Sequence, residues 1–176
     1  ASAMELREGA PYTYRIPLMT SQVQTMFGEI PDSLEMYAKL SQVSQAEAFK
    51  YFIERFRIGK WQRTGIIWWN LLDGWPQMSD AVVDYYYDKK LAYDYIKRAQ
   101  APFAMMMREM ANWCYTLVAA NDTLQPVQGT YRVTDIETGE VFAEGRFNAK
   151  ANTSTDVCRV RMMYSEQRML LIEWNI

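Results

Sequence analysis

The stretch Gly65-Ile66-Ile67-Trp68-Trp69-Asn70-Leu71-Leu72-Asp73-Gly74-Trp75-Pro76-Gln77-Met78-Ser79-Asp80 decides how this chain is read. From Gly65 to Trp69 the run is apolar throughout. It is far shorter than the roughly 20 residues of a membrane helix. Such a run fits a strand over 65–71, buried on both faces as in a parallel sheet covered by helices. Alternation along it puts Ile67, Trp69 and Leu71 on one face and Ile66, Trp68 and Asn70 on the other. Asp73 follows, and Gly74-Trp75-Pro76 turns the chain. A plain core strand has no need of three tryptophans beside a carboxylate.

The sequence around it alternates helix signals with that strand. Residues 1–20 read as irregular, with Pro11 and Pro17, and 20–28 as one short helix closed by Gly28. Asp32 with Glu35 three residues on forms a capping-box pattern. Leu34, Tyr37, Leu40, Phe49, Phe52, Ile53 and Phe56 then keep helical spacing, which predicts one helix over 32–58 ending near Gly59. Residues 72–88 read as a loop with two short candidate elements. Asp88 is the expected cap of another helix over 89–100, with Leu91, Ala92, Tyr95, Ile96 and Ala99 as its apolar stripe. Helix, strand, helix is α/β grammar.

After Pro102 the pattern changes. Six short stretches alternate with turn signals: 103–107, 113–120, 130–136, 141–149, 157–163 and 169–174. Asn121-Asp122 and Glu137-Thr138-Gly139-Glu140 mark turns. The expectation is a β-sandwich over 102–176 behind an α/β part over 1–101. A lone strand between two helices cannot enclose a core. The chain is therefore expected to be a piece of a larger protein, with self-association as the other way to cover the surface.

Composition excludes several chemistries. The chain has 176 residues, 49% of them hydrophobic, and a formal net charge of −2. No basic run suggests nucleic acid. Histidine is absent, which removes Ser-His-Asp and Cys-His catalysis and histidine-ligated zinc. The two cysteines, Cys114 and Cys158, do not make a metal site. They read as buried thiols in preference to a disulfide. No metal, no other cofactor and no membrane span are expected. Nothing fixes the compartment; a periplasmic or extracellular setting is preferred to a cytoplasmic one.

The segment Trp69-Asn70-Leu71-Leu72-Asp73-Gly74-Trp75-Pro76 resembles the Trp-Gln-Leu-Asn-Asp-x-Trp-Pro segment of the β-mannosidase-like branch of glycoside hydrolase family 2. The likeness continues through Val83-Asp84-Tyr85-Tyr86, then Lys89 or Lys90, Tyr93, Lys97-Arg98 and Ala101-Pro102. Upstream it takes in Ser41-Gln42-Val43-Ser44-Gln45-Ala46-Glu47-Ala48. It covers about residues 20–103. The ordered succession is more specific than any one motif. Two positions depart from it: Asn70 stands for a glutamine, and Leu72 for an asparagine whose hydrogen bonds it cannot make.

The resemblance implies that residues 1–101 end a (β/α)8 barrel as a terminal helix–strand–helix fragment. It implies that 102–176 are the immunoglobulin-like sandwich behind the barrel, and leaves open whether that sandwich is cut short. It also implies a retaining β-glycosidase acting on a β-mannoside or β-galactoside. Its two catalytic glutamates, about 5–5.5 Å apart, are expected upstream of this chain. Glu29, which leads into a helix cap, reads as a surface loop residue, and Glu5 and Glu8 have less context still. Trp69 would wall the sugar site from a strand end, against ordinary barrel packing. Trp68 would face the helices. Asn70 keeps an amide near the sugar. Asp73 would bond either sugar hydroxyls or loop amides. Trp75 would anchor the loop or touch the sugar at the rim. Asp80 and Asp84 read as structural. Tyr85, Tyr86 and Tyr87 would pack the last helix, and Met105-Met106-Met107 would fill space between barrel and sandwich. The expected partners are a carbohydrate substrate and the remainder of the parent enzyme. The alternative is a non-catalytic carbohydrate-binding or structural sandwich module.

Overall fold

The computed structural model describes residues 12–176. Pro11, Glu5 and Glu8 lie outside those residues. The chain forms two compact units. One holds the residues through Ile53 together with Ile66–Ala99; the other holds Glu54–Gly65 and Gln100–Ile176. Among the described residues its regular elements are three α-helices followed by six strands that form a β-sandwich, with every described strand in the second unit.

Helix α1 is Arg15–Phe27. It starts earlier than the expected 20–28 and takes in Pro17. Proline is tolerated there because the first-turn N–H groups have no intrahelical acceptor. Gly28 ends the helix with φ 82° and donates its N–H to Gln24 O, a left-handed cap that glycine adopts without steric cost. Glu29 is exposed beyond it.

Helix α2 is Leu34–Ile58. Its cap is Ser33, one residue after the expected Asp32: Ser33 Oγ accepts the Met36 N–H at 3.4 Å and Ser33 O the Tyr37 N–H at 2.9 Å. Helix α3 is Leu91–Ala99, and Asp88 does not cap it. Asp88 instead closes a loop with Asp84, whose carboxylate accepts the Tyr86 and Asp88 N–H groups at 2.8 and 2.9 Å. The Leu91 N–H goes to Gln42 Oε1 at 2.9 Å. The stripe on α3 is as expected, with Ala92, Ile96 and Ala99 buried against Ala46, Ile53 and Val82.

The expected strand over 65–71 forms no ladder, and this is the main correction. Residues 65–71 form no strand and bend at Trp69 and Leu71, and no described strand pairs with them. Strand alternation nevertheless persists. Ile66, Trp68 and Asn70 are half-buried, while Ile67, Trp69 and Leu71 are exposed. Burial is therefore on one face only. Residues 72–88 hold no helix or strand, only turns and isolated bridges, Leu72 with Val83 and Val83 with Lys89. Tyr85, Tyr86 and Tyr87 are exposed, so they do not pack α3; the Asp84 loop carries them outward.

The second unit holds six antiparallel strands: β1 Phe103–Ala111, β2 Cys114–Asn121, β3 Val127–Asp135, β4 Val141–Ala149, β5 Thr153–Arg161 and β6 Leu170–Asn175. They form two three-stranded sheets, ordered β1-β2-β5 and β4-β3-β6. Each of the six expected stretches overlaps one of these strands, with β5 lying earlier than the expected 157–163. Phe103, Met105, Leu117, Val133 and Phe147 fill the space between the sheets, with Phe103 and Phe147 stacked at 5.5 Å.

The three methionines divide by strand alternation. Met105 and Met107 face the space between the sheets, and Met106 packs with Ala104, Ala120 and Ile58. Cys114 and Cys158 are unbonded and half-buried. Tyr131 packs in the same core. Burial first, then its hydrogen bond to Cys158, pushes its hydroxyl up to about 12.

Candidate functional site

The segment 69–90 is built as a clasp on the first unit's core. Below it, Trp68 meets Phe49 edge-on at 5.7 Å among Ile66, Val82 and Ile96. The expected placement of Trp68 towards the helices holds. Two returning backbone stretches then lock together. Val82 donates to Asn70 O at 3.1 Å, Val83 to Leu71 O at 2.9 Å, Asp73 to Val83 O at 3.1 Å, and Lys90 to Val82 O at 2.9 Å. The peptide bond between Trp69 and Asn70 is cis.

Trp69 stands immediately before this clasp. It is 73% exposed. It lines a hollow of about 910 Å³ with Tyr37, Phe49, Phe52, Gln77 and Lys90. An aromatic wall with a few polar groups is the usual make-up of a small-molecule site. Asn70 keeps its amide local, with Nδ2 donating to Leu72 O at 3.5 Å. Trp75 is exposed on the following turn.

Asp73 is buried, so its carboxylate serves the protein. Oδ1 accepts from Gln77 Nε2 at 2.9 Å, and Arg15 Nη1 in turn donates to Gln77 Oε1 at 2.7 Å. Oδ2 accepts no hydrogen bond and faces the Lys90 ammonium at 3.7 Å. Lys90 also donates to Ser79 O and Ser79 Oγ at 3.2 and 3.3 Å. These contacts are with the Gln77 and Lys90 side chains; neither sugar hydroxyls nor loop backbone amides are among them. Asp84 holds its own loop, and the Asp80 carbonyl accepts from Gln45 Nε2 at 2.8 Å.

The hollow thus takes in Trp69 with Gln77, Ser79 and Lys90, whereas Asn70, Asp73 and Trp75 do not line it. In the sequence Gln77 and Ser79 carry no mark, and Lys90 enters only as an alternative to Lys89 in the family likeness. One signal for Lys90 was present. A lysine directly before a helix start is at the wrong end of the helix dipole, so a carboxylate partner elsewhere is the natural inference.

The arrangement can bind and orient a flat apolar ligand face against Trp69. It brings no pair of carboxylates into the hollow, and no cluster of metal-ligating side chains occurs among the described residues.

A unit of helices with an aromatic-walled hollow, followed by a β-sandwich, resembles the C-terminal part of a glycoside hydrolase family 2-type enzyme, and comparison with known proteins supports that resemblance. The relatives are glycosidases of β-mannosidase type. β-Mannosidase B from Aspergillus niger is 36% identical over 88 residues, which is 47% of this chain and 10% of that protein. β-Mannosidase B from Neosartorya fischeri is 32% identical over 124 residues, 60% of this chain and 15% of that protein. The chain thus spans a small part of the curated relatives it matches. No family model matches it. Among solved structures, the β-D-mannosidase from Dictyoglomus thermophilum superposes with a TM-score of 0.83 at 24% identity, covering 97% of this chain and 21% of that one. The exo-chitosanase CsxA from Amycolatopsis orientalis gives 0.70 at 17% identity, covering 90% and 21%. At these identities the superpositions speak for the fold.

Proposed function

We propose that this chain is the C-terminal part of a retaining β-glycosidase that hydrolyses O-glycosidic bonds in sugars of the β-mannoside or β-galactoside type. On this reading residues 65–71 are the last strand of a (β/α)8 barrel. Residues 102–176 are the immunoglobulin-like domain behind it. The catalytic glutamates stand on parts of the enzyme outside this chain. Trp69 is the wall of the reactive sugar subsite, Asn70 offers its amide beside it, and Trp75 lies on the rim. Asp73 keeps the strand end in place.

One observation carries the reading. Residues 65–71 alternate as a strand does, yet Ile67 is 99% exposed on the face it shares with Trp69 and Leu71. Each such side chain left in water forfeits about 1.5–3 kcal/mol of burial. A finished fold recovers that energy, so the uncovered face supports a missing neighbour. The likeness to β-mannosidases supports the choice of parent.

The test compares the chain with the full-length enzyme. The full-length enzyme is expected to release aryl alcohol from an aryl β-D-mannoside or β-D-galactoside with retention. The purified chain alone is expected to release none and to self-associate in light scattering. Turnover by the chain alone overturns the fragment reading. Tight oligosaccharide binding by residues 102–176 alone favours a binding module instead.

A further inference from the structure

Trp69 occupies an unusual mechanical position. Its neighbour Trp68 is held by Phe49 and the core, whereas Trp69 itself is 73% exposed. What fixes its backbone is the clasp that begins at Asn70 and closes through Val82, Val83, Asp73 and Lys90. At the centre of the clasp is a charge pair. The Asp73 side chain is 1% exposed and the Lys90 side chain 19%. Asp73 Oδ2 has no hydrogen-bond donor, so the ammonium at 3.7 Å compensates its charge. Lys90 reaches Ser79 with the same ammonium and Val82 with its backbone N–H. It therefore ties both returning stretches to the stretch that carries Trp69. Removing one partner of such a pair leaves a buried charge without compensation, which costs far more than the pair itself contributes.

Resting on the glycosidase reading above, we propose that the Asp73–Lys90 pair is a positioning device for Trp69: it sets the angle of the aromatic wall against the sugar. A sugar wall works only in one orientation, because small misplacements at the reacting centre cost large factors in rate.

A double-substitution cycle in the full-length enzyme separates positioning from general support. Lys90→Met is expected to lower kcat/KM on an aryl β-D-mannoside by about tenfold when Trp69 is present, and by less than about twofold when it is combined with Trp69→Ala. A role confined to stability gives the same loss in both backgrounds, and that result overturns the proposal, as does no loss in either. Lys90→Arg keeps the charge and is expected to retain most of the activity. If Lys90→Met does not fold, Asp73→Asn/Lys90→Met removes both charges together and is read in the same two backgrounds. A full-length enzyme without glycosidase activity overturns the parent reading and this inference with it. An active enzyme with equal losses overturns this inference alone.

Discussion

Gln42 and Leu91 are joined by a hydrogen bond of 2.9 Å in which the Gln42 amide oxygen accepts the Leu91 backbone N–H. The middle of one helix thereby caps the start of another. Gln42→Ala leaves that N–H without its partner and is expected to cost about 1–2 kcal/mol. Gln42→Glu keeps an acceptor and places negative charge at a helix N-terminus, where it is favourable. Urea unfolding is expected to rank the three as Glu at or above Gln, and both above Ala. A glutamate as damaging as alanine would remove the capping role.

This bond also shows where the sequence stopped being legible. Local signals carried well. The alternation of Ile66, Trp68 and Asn70 against Ile67, Trp69 and Leu71, the Gly28 stop, the apolar stripe of α3 and six strands after Pro102 were all readable, because each depends on neighbours in the chain. Local pattern alone points to Asp32 and Asp88 as caps. Ser33 won the first position by one residue. Gln42 won the second from 49 positions away, a distance no local pattern spans. The strand over 65–71 failed for a related reason. Its apolar run was correct, but a ladder needs a partner strand, and none of the described residues supplies one. The site followed the same rule. Trp69 was visible as an anomaly of composition. The Lys90 contact with Asp73 was not, because it depends on how the 70–90 clasp closes.

Gly129 sets the spacing between β3 and β6. A Cβ at this position would overlap the Asn175 carbonyl oxygen and meet Phe147 Cε1 at 3.0 Å. Backbone cannot swing aside as a flexible side chain can. Gly129→Ala is expected to destabilise the sandwich by about 1–3 kcal/mol. Hydrogen exchange is expected to show lost protection at Glu173–Asn175 while the β1-β2-β5 sheet stays protected. Unchanged protection in β6 would show that the close approach relaxes without consequence.

Asp135 gives the sandwich an acid limit. Its carboxyl is held below the ordinary aspartate range by the Thr138 N–H first, then the Glu137 N–H and Arg168; burial opposes them. A carboxylate whose folded pKa is depressed contributes stability that is present above its unfolded value, about 3.9. That stability is lost as pH falls through the folded value. Asp135→Asn removes the titration and keeps an acceptor for the two N–H groups. Stability measured from pH 6 down to pH 2 is expected to fall less steeply in this variant than in the parent. Parallel curves would exclude Asp135 as a source of the acid slope.

The last prediction concerns what counts as the sandwich. Met106 is 1% exposed and packs with Ala104, Ala120 and Ile58. Ile58 comes from the end of α2, outside the sheets. That end is fastened by Arg57 to Asp122 at 3.0 Å, by Arg55 to Glu109 at 2.9 Å, and by the Ser154 hydroxyl, which donates to Arg57 O at 2.6 Å. Trp61 adds its indole N–H to Asn152 O at 3.1 Å. The Arg55–Glu109 pair is exposed and is worth at most about 1 kcal/mol; the Arg57 side chain is 11% exposed, so its pair and the burial of Met106 carry the attachment. Cutting the chain at residue 102 removes Ile58 and turns Met106 outward. Met106→Thr is therefore expected to cost about 2–3 kcal/mol in the intact chain, where it empties a buried site. In the piece 102–176 it is expected to change stability by less than about 0.5 kcal/mol, as surface substitutions do. Urea midpoints for both proteins, with and without the substitution, decide the matter. An equal cost in the two would mean that the sheets bury Met106 unaided, and that residues 54–65 are an attachment and no part of the sandwich.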